Sequence, residues 1–325
     1  MIDNQKRDQS FDFIKGLLIM LVVLGHAIQF YTNENGWSTH PLFLLIYTFH
    51  MPLFIFISGF FSESVKKKAL FDVLVEKFRR LIVPLLIYSL VIFLMYMSSS
   101  EIEKGSVQNS IYVCFKTYWY LINVFLLTIV YRCICEKDKK VKIILLFAYA
   151  MMIAMYDYMP VFILKDCQVL RMIPVFFLGI LFKRYKDVVE RTVKTHKVII
   201  ILFALCAVFI VRFFYGYNLI MYPVTIRIID GIACSFLAFA LMRLAFAFAK
   251  PAFLKNFFAL VGRNSLVIYL FHVILFKMCL FYKITFDYSL FKIVMMFFLA
   301  LISSLVWAKL WKKILSPKIY YVLGL

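Results

Sequence analysis

Long apolar runs alternate with short basic blocks along most of the chain, and the runs have the length of membrane-crossing helices. The pattern predicts ten spans, near 13–31, 41–62, 81–98, 111–132, 141–156, 170–183, 198–215, 225–247, 260–281 and 289–311. A span needs about 20 apolar residues. The fifth and sixth runs are short, so a tilted, broken or partly interfacial path is expected for them. No low-complexity linker or internal repeat divides the series. The expected fold is therefore all-α: a polytopic integral membrane protein with about ten transmembrane helices, and a single domain over residues 1–325. The first run is long, no small-residue cleavage site follows it and further spans come after it. It is expected to stay as a helix and not to be removed as a signal peptide.

Composition agrees with the pattern. Hydrophobic residues make up 64% of the chain and mean hydropathy is +0.90, where soluble domains hold about 45–50% apolar residues. A net charge of +20 on a soluble chain would point to nucleic acid. Here the basic residues sit in blocks between apolar runs, which is what membrane topology demands, so no nucleic-acid partner is expected. Alternate loops carry the blocks: Lys6 and Arg7; Lys66, Lys67, Lys68, Lys77, Arg79 and Arg80; Arg132 to Lys142; Lys183 to Lys197; Arg243 to Arg263; and the tail from Lys309 to Lys318. By the positive-inside rule both termini are expected to be cytoplasmic. The seven cysteines lie mostly in or beside apolar runs. Cys133 and Cys135 lack a second metal-spaced pair, so they read as packing residues and no metal is expected.

Chemistry enters through ionisable groups at membrane depth, which are costly and therefore mark function. The first span carries Asp12, Lys15 and His26. Lys15 and His26 are eleven residues apart, which at about 100° per residue returns to within roughly 20° of one helix face. The rise between them is about 16 Å. Asp12 lies one turn below Lys15, where it can hold the ammonium through a charged hydrogen bond. The competing structural reading is a snorkelling Lys and a packing His. His50 and His272 fall near the middle of the second and ninth spans, so three of the five histidines are expected at comparable depth on different helices. That favours a shared polar cavity. Pro52, close to His50, frees a backbone carbonyl that the imidazole can serve. Ser58-Gly59 permits close approach of another backbone.

Lys77, Arg79 and Arg80 stand just before the third span. Such a cluster anchors a helix or binds lipid headgroups, and it also suits the phosphates of a cytoplasmic cofactor. Arg171, Arg227 and Asp230 are expected at the opposite, outer ends of the sixth and eighth spans. Arg227 and Asp230 are three residues apart and can meet as a helix-end ion pair, or they can face a substrate.

In this order, the motifs resemble those of the acyltransferase-3 family of bacterial membrane acyltransferases, in its fucose 4-O-acetylase-like and exopolysaccharide O-acetylase subgroup. The resemblance rests on Asp12-Phe13-Ile14-Lys15-Gly16 followed by His26, on the stretch from Phe49-His50-Met51-Pro52 to Phe60, and on Lys77-Phe78-Arg79-Arg80-Leu81-Ile82-Val83-Pro84. Weaker matches follow at Trp119-Tyr120-Leu121, at Val175-Phe176-Phe177-Leu178-Gly179 and from Gly262 to His272. The family pattern has Arg or Lys, ten residues, then His; Lys15 is the less common variant. The resemblance implies O-acylation, usually acetylation, of an extracytoplasmic carbohydrate by cytoplasmic acyl-CoA, in a bacterial plasma membrane.

It further implies His26 as base or acyl carrier, with His272 as its partner. By their expected positions in the membrane, and not by the resemblance, Lys15, Lys77, Arg79 and Arg80 lie toward the donor, and His50, Arg171, Arg227 and Asp230 toward the acceptor. Acyl-CoA, most simply acetyl-CoA, would be a donor substrate and not a resident cofactor. Succinyl is the alternative acyl group, and the acceptor is a surface polysaccharide or a lipid-linked sugar. No hydrolase-like domain is expected, so the membrane core and short loops would handle the acceptor. A transporter or lipid-linked sugar flippase would share the span count but would not need the Lys15/His26 spacing beside a phosphate-binding cluster. A scaffold would not need three histidines at one depth.

Overall fold

The computed structural model describes residues 8–31, 40–97, 116–156, 168–188, 191, 224–249, 252–281 and 290–324. All regular structure among them is helical. In chain order the helices are α1 (Gln9–Tyr31), α2 (Pro41–Ser62), α3 (Leu70–Lys77), α4 (Val83–Met97), α5 (Trp119–Ile134), α6 (Lys139–Ala154), α7 (Val169–Arg184), α8 (Val224–Phe248), α9 (Ala252–Arg263), α10 (Ser265–Phe281) and α11 (Leu290–Ile314). Nine of the ten predicted spans coincide with described helices. The predicted seventh span, the start of the fourth and His196 lie outside the described residues.

Among the described residues, five helical stretches are long and apolar enough to cross a membrane: Gln9–Phe30, Pro41–Lys67, Leu70–Met95, Thr225–Ala247 and Leu290–Ile314. A sixth results if the bent pair Ala252–Arg263 and Ser265–Cys279 is one span. The sequence predicts a ninth span near 260–281; the chain turns by 71° between α9 and α10, within the start of that stretch. Asn264 makes the break. Its side-chain Nδ2 donates to the Leu260 carbonyl at 2.9 Å and so caps the end of α9. Its own carbonyl accepts from the Ile268 N–H at 3.0 Å and starts α10. Lys312 on α11 donates to Asn264 Oδ1 at 2.7 Å, so the corner is held from a third helix. Such capping satisfies the orphan groups that any interrupted helix leaves.

The third span also differs from its predicted form. The helix begins at Leu70, and α3 runs into α4 through a π-helical turn at Phe78–Ile82. Pro84 supplies a cause. It has no N–H for the Arg80 carbonyl, and its ring crowds that oxygen. Widening the preceding turn relieves the clash, and the Val83 N–H bonds back to the Phe78 carbonyl instead. Lys77, Arg79 and Arg80 therefore ride on a continuous helical track, not in a loop before the span. Turns of this kind are frequent at functional sites.

The chain forms two compact units, Met1–His50 with Ala238–Leu325, and Met51–Leu237. In the first, α1 packs most extensively on α9 and also against α10 and α11. Gly16 and Gly262 form the crossing. A Cβ built on Gly262 would lie 1.8 Å from the Asp12 carbonyl oxygen, and one on Gly16 would lie 2.0 Å from that of Phe258. Lipid tails are as apolar as side chains, so close van der Waals contact of this kind, not water exclusion, holds helices together in a bilayer. Phe13 fills the flanks, with its ring edge-on to Phe246 at 5.4 Å and to Phe258 at 5.1 Å.

The second unit repeats the device. Gly59 on α2 and Gly179 on α7 cross so closely that each added Cβ would sit 2.0 Å from a carbonyl oxygen, of Phe176 and Phe56 respectively. Gly59 thus does what its sequence context predicts. Polar side chains peg the neighbouring helices: Ser58 Oγ and the Tyr120 hydroxyl are 2.9 Å apart, and Ser62 and Thr128 are 3.2 Å apart. Helix α6 buries no residue although it is rich in Ile, Leu and Met. An apolar surface on every side is what lipid contact requires.

Candidate active site

The first unit gathers Asp12, Lys15, His26, His50 and His272. Lys15 Nζ meets Asp12 Oδ1 at 2.9 Å, with the carboxylate buried and the lysine partly exposed. One turn of helix brings these charges together as the spacing predicts. Asp12 is also at the Gly262 crossing, so the ion pair sits where α1 is most tightly fixed.

Further along α1, the His26 ring faces the His272 ring of α10, with 5.3 Å between centroids and a 37° tilt. The two imidazoles share an orientation device. His26 Nδ1 donates to Gln29 Oε1 at 3.0 Å, and His272 Nδ1 donates to the Ile268 carbonyl at 2.6 Å. A carbonyl only accepts, so the proton on His272 is on Nδ1 and its Nε2 is a bare acceptor. That Nε2 is buried and has no hydrogen-bond partner among the described residues. An unsatisfied buried acceptor costs about 1–3 kcal/mol. His26, in the same tautomer, would present its Nε2 as a base while Nδ1 is held.

Tyr47 and Gln29 complete the group, and the sequence reading does not single out either. The Tyr47 hydroxyl donates to Gln29 Oε1 at 3.3 Å and lies 3.4 Å from His26 Nδ1. Gly25 makes room for it, since a Cβ there would fall 2.9 Å from Tyr47 Cε2. The signal was present in spacing: Gln29 follows His26 by three residues, and Tyr47 precedes His50 by three, so each shares a helix face with a histidine.

His50 stands apart from the pair. Its Nδ1 donates to the Ile46 carbonyl at 2.6 Å, and its ring lies against Tyr47 at 4.6 Å. Neither His26 nor His272 has a ring contact with it. The depth pattern thus brings two histidines together directly, and the third through a tyrosine.

The second unit holds the other candidates in two places. Arg79 and Arg80 are exposed and Lys77 is half-buried on the π-helical track. None of the three forms an ion pair among the described residues. The nearby acid, Glu76, is already engaged by Lys68 at 2.5 Å. Three cations left in excess on one short segment make a positively charged surface. Elsewhere, Arg171 begins α7 and Arg227 begins α8. Arg227 lies over the Tyr156 ring, 5.8 Å from guanidinium carbon to centroid, and not in the ion pair with Asp230 that the three-residue spacing permits. Asp230 is wholly buried and accepts from the Cys234 thiol at 3.5 Å.

Comparisons with known proteins identify the family. The model of the acyltransferase-3 family, described as an acyltransferase domain, matches residues 8–321, which takes in both units. Nodulation protein NolL of Sinorhizobium fredii is 34% identical over 202 residues, 59% of this chain and 53% of that protein. Its namesake in Mesorhizobium japonicum is 34% identical over 140 residues, 40% of this chain and 36% of that protein. The chain therefore matches about half the length of one of these curated relatives and about a third of the other. No solved structure is a significant match. With a family match over residues 8–321 of an apolar, helical chain, the protein belongs to the acyltransferase-3 family of membrane acyltransferases.

Proposed function

We propose that this protein is an O-acyltransferase of the bacterial plasma membrane. It moves an acetyl group from cytoplasmic acetyl-CoA to a hydroxyl of an extracytoplasmic or lipid-linked carbohydrate. The carrying observation is the His26–His272 pair, whose Nδ1 atoms are tied back to Gln29 and to the Ile268 carbonyl. Both chemical routes open to an imidazole use the remaining nitrogen. As a base, His26 Nε2 takes the hydroxyl proton while the sugar oxygen attacks the thioester carbonyl. The tetrahedral adduct then expels CoA thiolate, which recovers the proton. As a nucleophile, the same nitrogen attacks the thioester and expels CoA thiolate; the acetyl group then passes to the sugar oxygen, and the hydroxyl proton goes to the freed thiolate. The orphaned His272 Nε2 is an acceptor for a second, non-reacting hydroxyl of the sugar, which would help hold the attacking oxygen at His26.

Lys15 and the Lys77, Arg79 and Arg80 track are the donor side of this reading, matched to the phosphates of CoA. His50, Arg171, Arg227 and Asp230 belong to the acceptor side. Acyl transfer by purified protein in detergent, from labelled acetyl-CoA to polysaccharide or lipid-linked sugar, tests the activity. Mass spectrometry of surface carbohydrate from deletion and wild-type cells identifies the product. No thioester turnover by well-folded protein would refute the proposal.

Two measurements bear on its parts. CoA titration should show Lys15→Ala and Arg80→Ala each weakening affinity by about tenfold, the value of one charge-assisted contact of ~1.5 kcal/mol. Lys15→Arg should retain more binding than Lys15→Ala, although the two cations differ in shape. Unchanged affinity in both alanine variants would remove the donor assignment. The reading also uses ten spans with both termini cytoplasmic. Reporters inserted at 33–39 and at 64–70 should then report outside and inside respectively. Two reporters on one side would separate His26 from the depth that the mechanism gives it.

A further inference from the structure

The arginines at the starts of α7 and α8 have donors that no described residue accepts from. Arg171 uses one other donor: its Nη1 donates to Gln168 Oε1 at 2.9 Å. Its Nε and Nη2 are buried with no hydrogen-bond partner among the described residues, and so is Nε of Arg227. Neither guanidinium forms an ion pair among the described residues. Nε and Nη2 make up one edge of the planar group, the edge whose two parallel N–H bonds fit a carboxylate or a phosphate. A buried fork left open in this way is a costly arrangement unless an oxyanion fills it.

The surroundings point the same way. Arg227 and Asp230 lie within electrostatic range of Arg171, as does Tyr156. Two guanidiniums against one carboxylate leave an excess positive charge. The Tyr156 ring that Arg227 lies over is itself buried, so little water is present there to screen that charge. Arg171 is the third residue of α7 and Arg227 the fourth of α8, and helix N-termini add partial positive charge of their own. Gln168, which holds Arg171 in place, is also the sole described non-glycine residue with a left-handed backbone, at φ 55°. A glutamine rarely adopts that conformation, and the strain is maintained where it aims the side chain that fixes the fork.

From this geometry we infer that Arg171 and Arg227 form a recognition site for a phosphate or carboxylate group carried by the acceptor. The assignment to the acceptor rests on the acyltransferase reading above, whereas the anion site itself does not. The acceptor is then an anionic carbohydrate: either a sugar attached to lipid through a diphosphate or a sugar that itself bears a carboxylate. In both, the charge would dock on the arginine pair and leave a neutral hydroxyl to react.

Binding to the full chain in detergent tests this with inorganic diphosphate, glucuronate, phosphatidylglycerol and, as the uncharged control, glucose. Saturable binding of diphosphate or glucuronate, with none of glucose, is the expected result. Diphosphate alone would indicate the lipid-linked class, and glucuronate the acidic sugar. Arg171→Gln and Arg227→Gln should each weaken that binding by about tenfold or more, with acetyl-CoA affinity retained. Arg171→Lys keeps the charge but loses the fork, so it should lie between, and it keeps the test decisive if the glutamine variants fold poorly. Absence of anion binding to the wild type, or equal binding in folded Arg171→Gln, would overturn the site. Preference for phosphatidylglycerol would overturn the acceptor and assign the pair to a lipid headgroup. Loss of acetyl-CoA affinity together with the anion would instead assign it to the donor. Acetyl-CoA turnover, followed separately, shows whether the acyltransferase reading stands whatever the anions do.

Discussion

His26→Ala should reduce acyl transfer by about 10²–10⁴-fold, the usual worth of a positioned acid–base group, while the protein still inserts and still binds acetyl-CoA. Labelled-acetyl transfer at matched membrane levels is the measurement. His272→Ala should follow with a smaller loss, because its ring lies 5.3 Å from that of His26 but its role is to receive and orient. His50→Ala should cost least of the three, since its described link to the pair runs through Tyr47. Tyr47→Phe removes one long hydrogen bond to Gln29 and should cost only about two- to tenfold. Near-normal transfer by His26→Ala with loss in His272→Ala would move the chemical centre to α10.

The second large effect is on folding. Gly262→Ala places a methyl group 1.8 Å from the Asp12 carbonyl oxygen, where real contacts are essentially never under 3.0 Å. Backbone cannot step aside as a flexible side chain can, so α1 and α9 must separate by more than an ångström. Overpacking of well-fitted interiors typically costs 1–3 kcal/mol, and an overlap with backbone on both sides should reach the top of that range, at least about 3 kcal/mol. Thermal unfolding in detergent and the yield of monodisperse protein report it. The Lys15–Asp12 pair would be displaced as well, so activity should fall even in molecules that remain folded. Gly231→Ala is the control: its Cβ would meet the Pro52 ring at an ordinary 3.5 Å, and little change is expected. A Gly262→Ala protein as stable as Gly231→Ala would show that the crossing is looser than the structure has it.

These two expectations differ in how far the sequence could carry them. His26 stands out in the chain because a 3.6-residue period places it on one face with Lys15, and because an ionisable residue in an apolar run is conspicuous. Gly262 is inconspicuous. One glycine in a helical run says that a close approach is permitted, not which helix comes, and Gly16 is 246 positions away along the chain. Gly59 could be read as a contact point for the same reason, while its counterpart Gly179 could not be named.

What the chain determines by itself is local. Apolar run lengths fix the membrane class and the helical character. Helical periodicity fixes the Asp12–Lys15 pair and the shared face of Lys15 and His26. Short-range chemistry at Pro84 favours the widened turn that carries Arg79 and Arg80, although only the structure showed the helix starting as early as Leu70. What tertiary structure alone decides is which helices meet. Three histidines at one apparent depth resolve into a direct pair and a third linked through Tyr47. The ninth span turns by 71° at Asn264, and Lys312, far along the chain, bonds to that corner. Arg227 takes the Tyr156 face although the three-residue spacing allows Asp230. Periodicity sets the face a residue occupies on its own helix. The partner across that face depends on helix crossings made by backbone contact between distant glycines, and no local pattern encodes these.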